Sequence, residues 1–194
     1  DMLAAMGGRE DKAFLRDDGS NNTPIGFKKV ATDAGRTVAW TGTADLATID
    51  AYLDSLILKL MSSDSMMINP GWGMSPRSWM KLFGLRDGNG NKVYPEMAQG
   101  LLNVYPVAHT NTIPVNLGAS TNQTEIYFAD WNDVVIGEQD NMTIDFSREA
   151  TYVDAAGELV SAFARNQSLI RLVCNHDVGF RHTEGMVLGT AVTW

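Results

Sequence analysis

The sequence contains a single cysteine, Cys174, and no long apolar run. One cysteine excludes an intrachain disulfide and fits a protein that folds in a reducing interior. No apolar stretch approaches the roughly 18 residues that a membrane span requires. We therefore expect neither a disulfide framework nor a membrane segment.

Clustered positive charge is also absent. The 194 residues carry 15 Lys and Arg against 23 Asp and Glu, which gives a formal net charge of -8. Broad nucleic-acid binding requires clustered Lys and Arg to neutralise phosphates, and here the basic residues are scattered. The hydrophobic fraction of 44% is close to that of ordinary globular proteins, which is enough for the core of one sizeable domain or two small lobes.

One acidic and amide-rich turn partly matches a calcium-binding loop. Asp87, Asn89 and Asn91 occupy positions 1, 3 and 5 of that pattern. The sixth position is Lys92 instead of Gly, and the twelfth is Ala98 instead of the bidentate Glu. We interpret the segment as a plain turn.

The densest set of possible metal ligands is His176, Asp177, His182 and Glu184. Two His and a carboxylate can bind a divalent metal, but this spacing matches no established motif. Cys174 beside the set suggests a Cys/His nucleophile, yet its alternation with apolar residues favours a buried structural thiol. We expect no catalytic residue, cofactor-binding residue or metal ligand, and no cofactor.

Helices are predicted in the first half of the chain. Apolar residues at helical spacing indicate a helix over 44–61, with Thr43 as its N-cap. Ser75 followed by Pro76 indicates the start of another helix. A weaker helical pattern opens the chain. The tryptophans Trp72, Trp131 and Trp194 fit either interfaces or the core.

Strands are predicted mainly in the second half. A short strand at 66–68 ends at Pro70 and Gly71. Alternating apolar and polar residues over 142–147 are typical of a half-buried strand. Helices early and strands late indicate an α+β fold. The other strand candidates are 104–108, 125–129, 133–136, 167–175 and 186–193.

With its elements in this order, the chain resembles the major capsid proteins of tailed bacteriophages, which have the Hong Kong 97-type fold. Several motifs in the family's order carry the resemblance, and together they cover nearly the whole chain. They are 11–15 with 18–26, the helix 44–61, the strand 66–69, the helix start 75–79, the turn 87–91 with 102–107, and 126–131, 135–137, 142–149 and 166–171.

The resemblance implies an axial lobe of residues 30–143, to which 185–194 could return, and a peripheral lobe of 1–29 with 144–184. It implies a structural coat protein of a tailed phage or prophage, located in the virion capsid and in the host cytoplasm before assembly. The full-length protein would assemble with itself into pentamers and hexamers of an icosahedral shell, which encloses DNA without sequence-specific binding. Scaffold, maturation protease and portal proteins would be its other partners.

Two alternatives stay open. An encapsulin-like nanocompartment shell protein shares the fold, and a small metal-dependent enzyme would use His176, His182 and Glu184. The chain begins with Asp1 instead of Met, so we expect a fragment or processed product, with the family's N-terminal arm, extended loop and most of its spine helix before it. We then expect no shells from this chain alone, and no cross-linking residue is transferred from the family.

Overall fold

The computed structural model of the protein describes residues 2–139 and 142–194; Asp1, Asp140 and Asn141 lie outside that description. Within the described residues, contacts divide the chain into two units. The larger unit runs up to Ile136 and includes Val178–Trp194, and the smaller unit is Gly137–Asp177. The predicted lobes concern positions within a shell, so they stay a prediction.

The larger unit contains the four helices that the structure describes and a six-stranded sheet in the order β1-β12-β5-β2-β4-β3. In this sheet, β1 pairs with β12 and β2 pairs with β4 in parallel, and the other pairs are antiparallel. The helices are α1 (Met2–Arg16), α2 (Phe27–Asp33), α3 (Leu46–Met61) and α4 (Pro76–Gly84). The strands of the sheet are β1 (Thr37–Ala39), β2 (Pro70–Met74), β3 (Leu101–Leu102), β4 (Tyr105–His109), β5 (Thr124–Asp130) and β12 (Met186–Val192).

Paired strands and short 3-10 helices complete the fold. The sheets with two strands are β6 with β11, β7 with β10, and β8 with β9. These strands are β6 (Val134–Glu138), β7 (Thr143–Ser147), β8 (Thr151–Val153), β9 (Leu159–Ser161), β10 (Leu169–Val173) and β11 (His176–Phe180). The 3-10 helices are Ser20–Asn22, Pro95–Gln99, Trp131–Asp133 and Thr183–Gly185.

Strand β5 is buried along its whole length and separates two apolar clusters. Successive strand residues point to opposite faces of a sheet. Accordingly, Ile126 and Phe128 lie in a cluster with residues of α3 and α4, whereas Tyr127 and Ala129 lie in a cluster with Phe27 of α2. The sheet is therefore covered by helices on both faces, which gives the larger unit its core.

Helix α3 confirms the apolar periodicity, but its cap differs from the predicted one. Asp45, not Thr43, is the N-cap, since its carboxylate accepts a hydrogen bond from the Thr48 amide at 2.9 Å. Thr43 instead donates its hydroxyl to the Asp45 carboxylate at 2.7 Å. The Thr48 amide, followed by the Thr43 and Thr48 hydroxyls, lowers the pKa of Asp45. The helix thus begins two residues later than predicted.

The prediction of a strand at 66–68 is wrong. The strand in this region is β2, which begins at Pro70. Met67 has a φ of 48°, which is outside the extended range. The amides of Ile68 and Asn69 donate to the buried carboxylate of Asp130 at 2.7 and 2.9 Å, so they are not free for a strand ladder. The strand then starts at a proline, which is tolerated at a first strand position because it needs no donor there.

The tryptophans divide between the core and its margin. Trp72 and Trp194 are buried in the main core. Trp131 is half-buried, and its indole nitrogen donates to the Gly71 carbonyl at 3.0 Å. A Cβ at Gly71 would lie 3.0 Å from that nitrogen, so a larger residue at position 71 would displace the indole.

A buried carboxylate joins both N-terminal helices to the sheet. Glu125 on β5 is 2% exposed. Its Oε1 lies 2.7 Å from Lys28 Nζ of α2, and its Oε2 lies 3.3 Å from Arg16 Nε of α1. The Tyr127 hydroxyl donates to the same Oε2 at 2.9 Å. This network was not predicted, because its members come from three separate elements, α1, α2 and β5.

Three tyrosines make the stability of the larger unit sensitive to alkaline pH. Burial is the main cause that raises the pKa of Tyr52, Tyr94 and Tyr127 in the folded chain. In the unfolded chain these phenols ionise near pH 10. Because the phenols ionise more readily in the unfolded chain, the folded state keeps its full stability below about pH 10. It loses stability as the pH rises from about 10 towards the raised pKa values of the folded chain.

We therefore expect the free energy of unfolding to be level between neutral pH and about pH 10, and to fall above it. Urea denaturation at a series of pH values, with phenolate absorbance followed in parallel, measures this. The variant Tyr127→Phe should reduce the alkaline slope. A free energy that stays level well above pH 10 would contradict the prediction.

Candidate interaction surface in the smaller unit

The residues that suggested a metal site do not come together. His182 Nδ1 lies 3.0 Å from Asp133 Oδ1, as an exposed histidine beside a carboxylate. Glu184 contributes its backbone carbonyl, which accepts from the Arg36 guanidinium at 2.9 Å. Across residues 2–139 and 142–194, no group of three or more His, Cys, Asp or Glu side chains is placed to hold a metal ion.

The calcium-like turn satisfies its own backbone. Asp87 Oδ1 accepts hydrogen bonds from the amides of Asn89 and Asn91 at 2.9 and 2.8 Å. These bonds, that of Asn91 first, lower the pKa of Asp87. The carboxylate therefore closes a plain turn, as predicted.

The prediction of a buried thiol at Cys174 is wrong. The residue is half-exposed and follows the last residue of β10. The alternation with apolar residues of the strand is real, but those residues are themselves not buried. Two of them belong to the surface described next.

Strands β7 and β10 form a ribbon with an exposed apolar face. Phe146 is paired with Ile170, and Ile144 is paired with Leu172, so the four side chains share one face. Ile144, Phe146 and Ile170 are 63%, 60% and 52% exposed, and Leu172 is half-buried. We name these four residues the ribbon face.

The opposite face of the ribbon carries an ion pair that lies between the half-buried apolar residues Leu169 and Val173. Asp145 and Arg171 are paired across the strands, and the guanidinium approaches Asp145 Oδ2 at 2.7 Å through Nη2 and at 3.2 Å through Nε. On the ribbon face itself, the Arg148 guanidinium carbon lies 5.7 Å from the centre of the Phe146 ring. The ribbon thus has four apolar side chains on one face, and an ion pair flanked by two half-buried apolar residues on the other.

The prediction that 142–147 is half-buried is therefore wrong in one respect. The alternation correctly indicated a strand, but four of the five residues of β7 are exposed and the last is only half-buried. An alternating pattern shows which side chains share a face, not whether anything covers that face. Here Ile144, Phe146 and Ile170 stay more than half exposed, even with the Arg148 guanidinium near the Phe146 ring.

The second hairpin of the smaller unit, β8–β9, also exposes apolar side chains. Val153 and Leu159 are paired across its strands and are 62% and 76% exposed. Phe163, shortly after the hairpin, is 78% exposed. Asp154 orders the tip, since its Oδ1 accepts from two amides of the turn at 2.9 and 3.0 Å. The backbone of the hairpin is well ordered, and Val160 on its other face is buried, whereas Val153 and Leu159 are exposed.

Taken by itself, the smaller unit has its apolar side chains mostly on the outside. Among its described residues the buried hydrophobics are only Val160 and Ala162. Monomeric soluble proteins rarely expose extensive apolar patches, and isolated two-stranded hairpins are marginally stable. The smaller unit therefore exposes more apolar side chains than is usual for a monomeric soluble protein. Its exposed large hydrophobics are Met142, Ile144, Phe146, Val153, Leu159, Phe163 and Ile170.

Among the described residues, the helices are too short or too polar to cross a membrane. The exposed apolar side chains of the smaller unit lie on strands of three to five residues and on the segments beside them.

Comparisons of sequence and of structure with known proteins find similar proteins of the same kind. The model of the phage capsid family matches residues 1–191. The chain is 63% identical over 194 residues to the major capsid protein of Klebsiella oxytoca phage phiKO2, an alignment that covers 99% of this chain and 45% of that protein. This chain therefore spans less than half the length of that curated relative.

Solved structures extend the similarity to the fold. A chain from Mycobacterium phage Bobi aligns with a TM-score of 0.65 and 16% identity, over 97% of this chain and 61% of that one. The holo encapsulin complex from Synechococcus elongatus PCC 7942 aligns with a TM-score of 0.59 and 14% identity, over 99% and 63%. At these identities the likeness concerns the fold alone.

Proposed function

Because this chain belongs to the phage capsid family, we propose that it is part of a major capsid protein, the structural coat subunit of a tailed phage or prophage. Its α+β fold is of the Hong Kong 97 type, like that of its structural neighbours. In this role the full-length protein builds an icosahedral shell that encloses DNA. The observation that carries the proposal is the exposed apolar surface of the smaller unit.

That surface is what a shell subunit needs. Rings of identical subunits close through heterologous contacts, in which one patch meets a different patch of the neighbour. Such contacts bury apolar side chains that a single subunit leaves in water. The ribbon face and the pair Val153 and Leu159 lie on different strand pairs, so the smaller unit offers two separate apolar contacts.

The charge of the chain agrees with DNA held by enclosure. A net charge of -8 does not favour tight phosphate binding, and a closed shell does not require it. We place the protein in the virion capsid, and in the host cytoplasm before assembly. Pentamers and hexamers of the full-length protein, and contacts with scaffold, maturation protease and portal proteins, belong to the same proposal, as do the axial and peripheral lobes.

A nanocompartment is the second candidate function, since an encapsulin shares the fold. The 63% identity to a phage major capsid protein favours the phage assignment, because it concerns sequence as well as fold. A structural role requires no reaction, so we assign no catalytic activity to His176, His182 or Glu184. A stoichiometric metal in the purified protein would contradict that assignment.

Electron microscopy of the full-length protein tests the proposal. We expect closed shells that contain nucleic acid when they are isolated from the phage or the induced prophage host. Shells that contain a cargo enzyme would favour the nanocompartment instead, and the absence of shells would contradict both. This chain alone should remain small in light scattering, and a megadalton particle from it would overturn that expectation.

A further inference from the structure

The hairpin of β3 and β4 has an apolar residue in an unfavourable conformation at its tip. Leu102 pairs with Tyr105, and the two residues between them, Asn103 and Val104, have φ angles of 47° and 74°. Such tight hairpin turns need positive φ at both positions and favour Asn followed by Gly. Asn103 fits this rule. Val104 does not, because a β-branched residue at positive φ is a clear outlier.

The hairpin turn fixes the positive φ at position 104, but it does not require that the residue there be a valine. Val104 is 83% exposed, so its side chain gains little from burial. Met67 provides the contrast, since it also has a positive φ, of 48°, but packs against the main core. Unfavourable backbone conformations persist when another requirement fixes them, and they concentrate at functional positions. For Val104 the hairpin turn requires the positive φ, but the folded chain gives the exposed, apolar and β-branched side chain no burial in return.

We propose that Val104 is an assembly contact, and that the tip of the β3–β4 hairpin docks against a second copy of the chain in the shell. The proposal rests on the shell function above, in which most neighbours of a subunit are copies of it. An uncharged valine has nothing with which to bind phosphates, so DNA does not account for it. Strand β3 is an edge strand of two residues, too short to pair with a neighbour's strand, so the side chain at the tip is what this edge presents.

The variant Val104→Asn in the full-length protein tests the proposal. Asparagine tolerates positive φ, so relief of strain should raise the melting temperature of the unassembled subunit by about 2–4 °C. Loss of one buried valine contact per subunit should raise the protein concentration needed for shell formation about tenfold. Stability and assembly therefore change in opposite directions, which a merely structural residue would not produce.

Two further variants make the test specific. Val104→Ile keeps the apolar, β-branched tip and should assemble as the wild type does. Thr121 is also exposed and β-branched with a positive φ, of 51°, so Thr121→Asn should raise the melting temperature similarly without changing assembly. The role of Val104 would be overturned if Val104→Asn formed shells at the same protein concentration as the wild type. It would also be overturned if Thr121→Asn weakened shell formation as much as Val104→Asn does.

The outcome also separates this inference from the proposed function. If the wild-type protein forms no shells, the shell function fails and Val104 has no neighbour to contact. If wild type and Val104→Asn form shells at the same protein concentration, the shell function stands and the contact at Val104 is wrong.

Discussion

The double variant Ile144→Thr and Phe146→Ser is expected to leave the stability of this chain unchanged and to abolish shell formation by the full-length protein. Both side chains are about 60% exposed on the ribbon face. Substitutions at exposed positions usually change the free energy of unfolding by less than about 0.5 kcal/mol. Burial of such side chains contributes roughly 1.5–3 kcal/mol each, so the pair would cost each subunit at least about 3 kcal/mol of assembly energy.

Urea denaturation of the chain and electron microscopy of the full-length protein measure the two effects. The control is on the opposite face of the same ribbon, where Asp145→Asn with Arg171→Gln removes an exposed ion pair worth at most about 1 kcal/mol. We expect that control to form shells. If both double variants lose them equally, the ribbon as a whole matters and the role given to its apolar face is wrong.

An element could be predicted from the sequence where residues close to it in the chain determine its bounds. Helix α4 begins as predicted because Ser75 caps it and Pro76 follows within the same turn. The strand at 66–68 was mispredicted because Asp130, 62 residues beyond Ile68, accepts the amides of that segment. No window of neighbouring residues contains that information.

The sequence predicted which residues share the ribbon face, but not that this face is exposed. The alternation over 142–147 correctly placed Ile144 and Phe146 on one face of a strand. Whether that face is covered depends on groups outside the ribbon, which periodicity does not describe. The order of elements carried more information than any single motif, and the predicted membership of the phage capsid family is confirmed. The assignment of axial and peripheral lobes stays a prediction.

Glu125 is the residue at which we expect the largest loss of stability from one substitution. The variant Glu125→Ala should lower the free energy of unfolding by about 3 kcal/mol and the melting temperature by roughly 10 °C. The reason is that Arg16 and Lys28 would remain beside the sheet without their shared carboxylate. The expected loss lies at the lower end for buried pairs, because the Lys28 side chain is 35% exposed and can turn towards water.

The matched control for Glu125 is Asp33→Ala, which removes the exposed pair that Asp33 forms with Lys29 within α2. That pair spans one helical turn, and we expect its loss to cost less than about 0.5 kcal/mol. Thermal and urea denaturation of both variants give the comparison. Similar small losses would mean that α1 and α2 are held to the sheet by apolar packing alone. A large loss only for Glu125→Ala would mean that one carboxylate fixes both helices on β5, and that the exposed pair of Lys29 and Asp33 matters little.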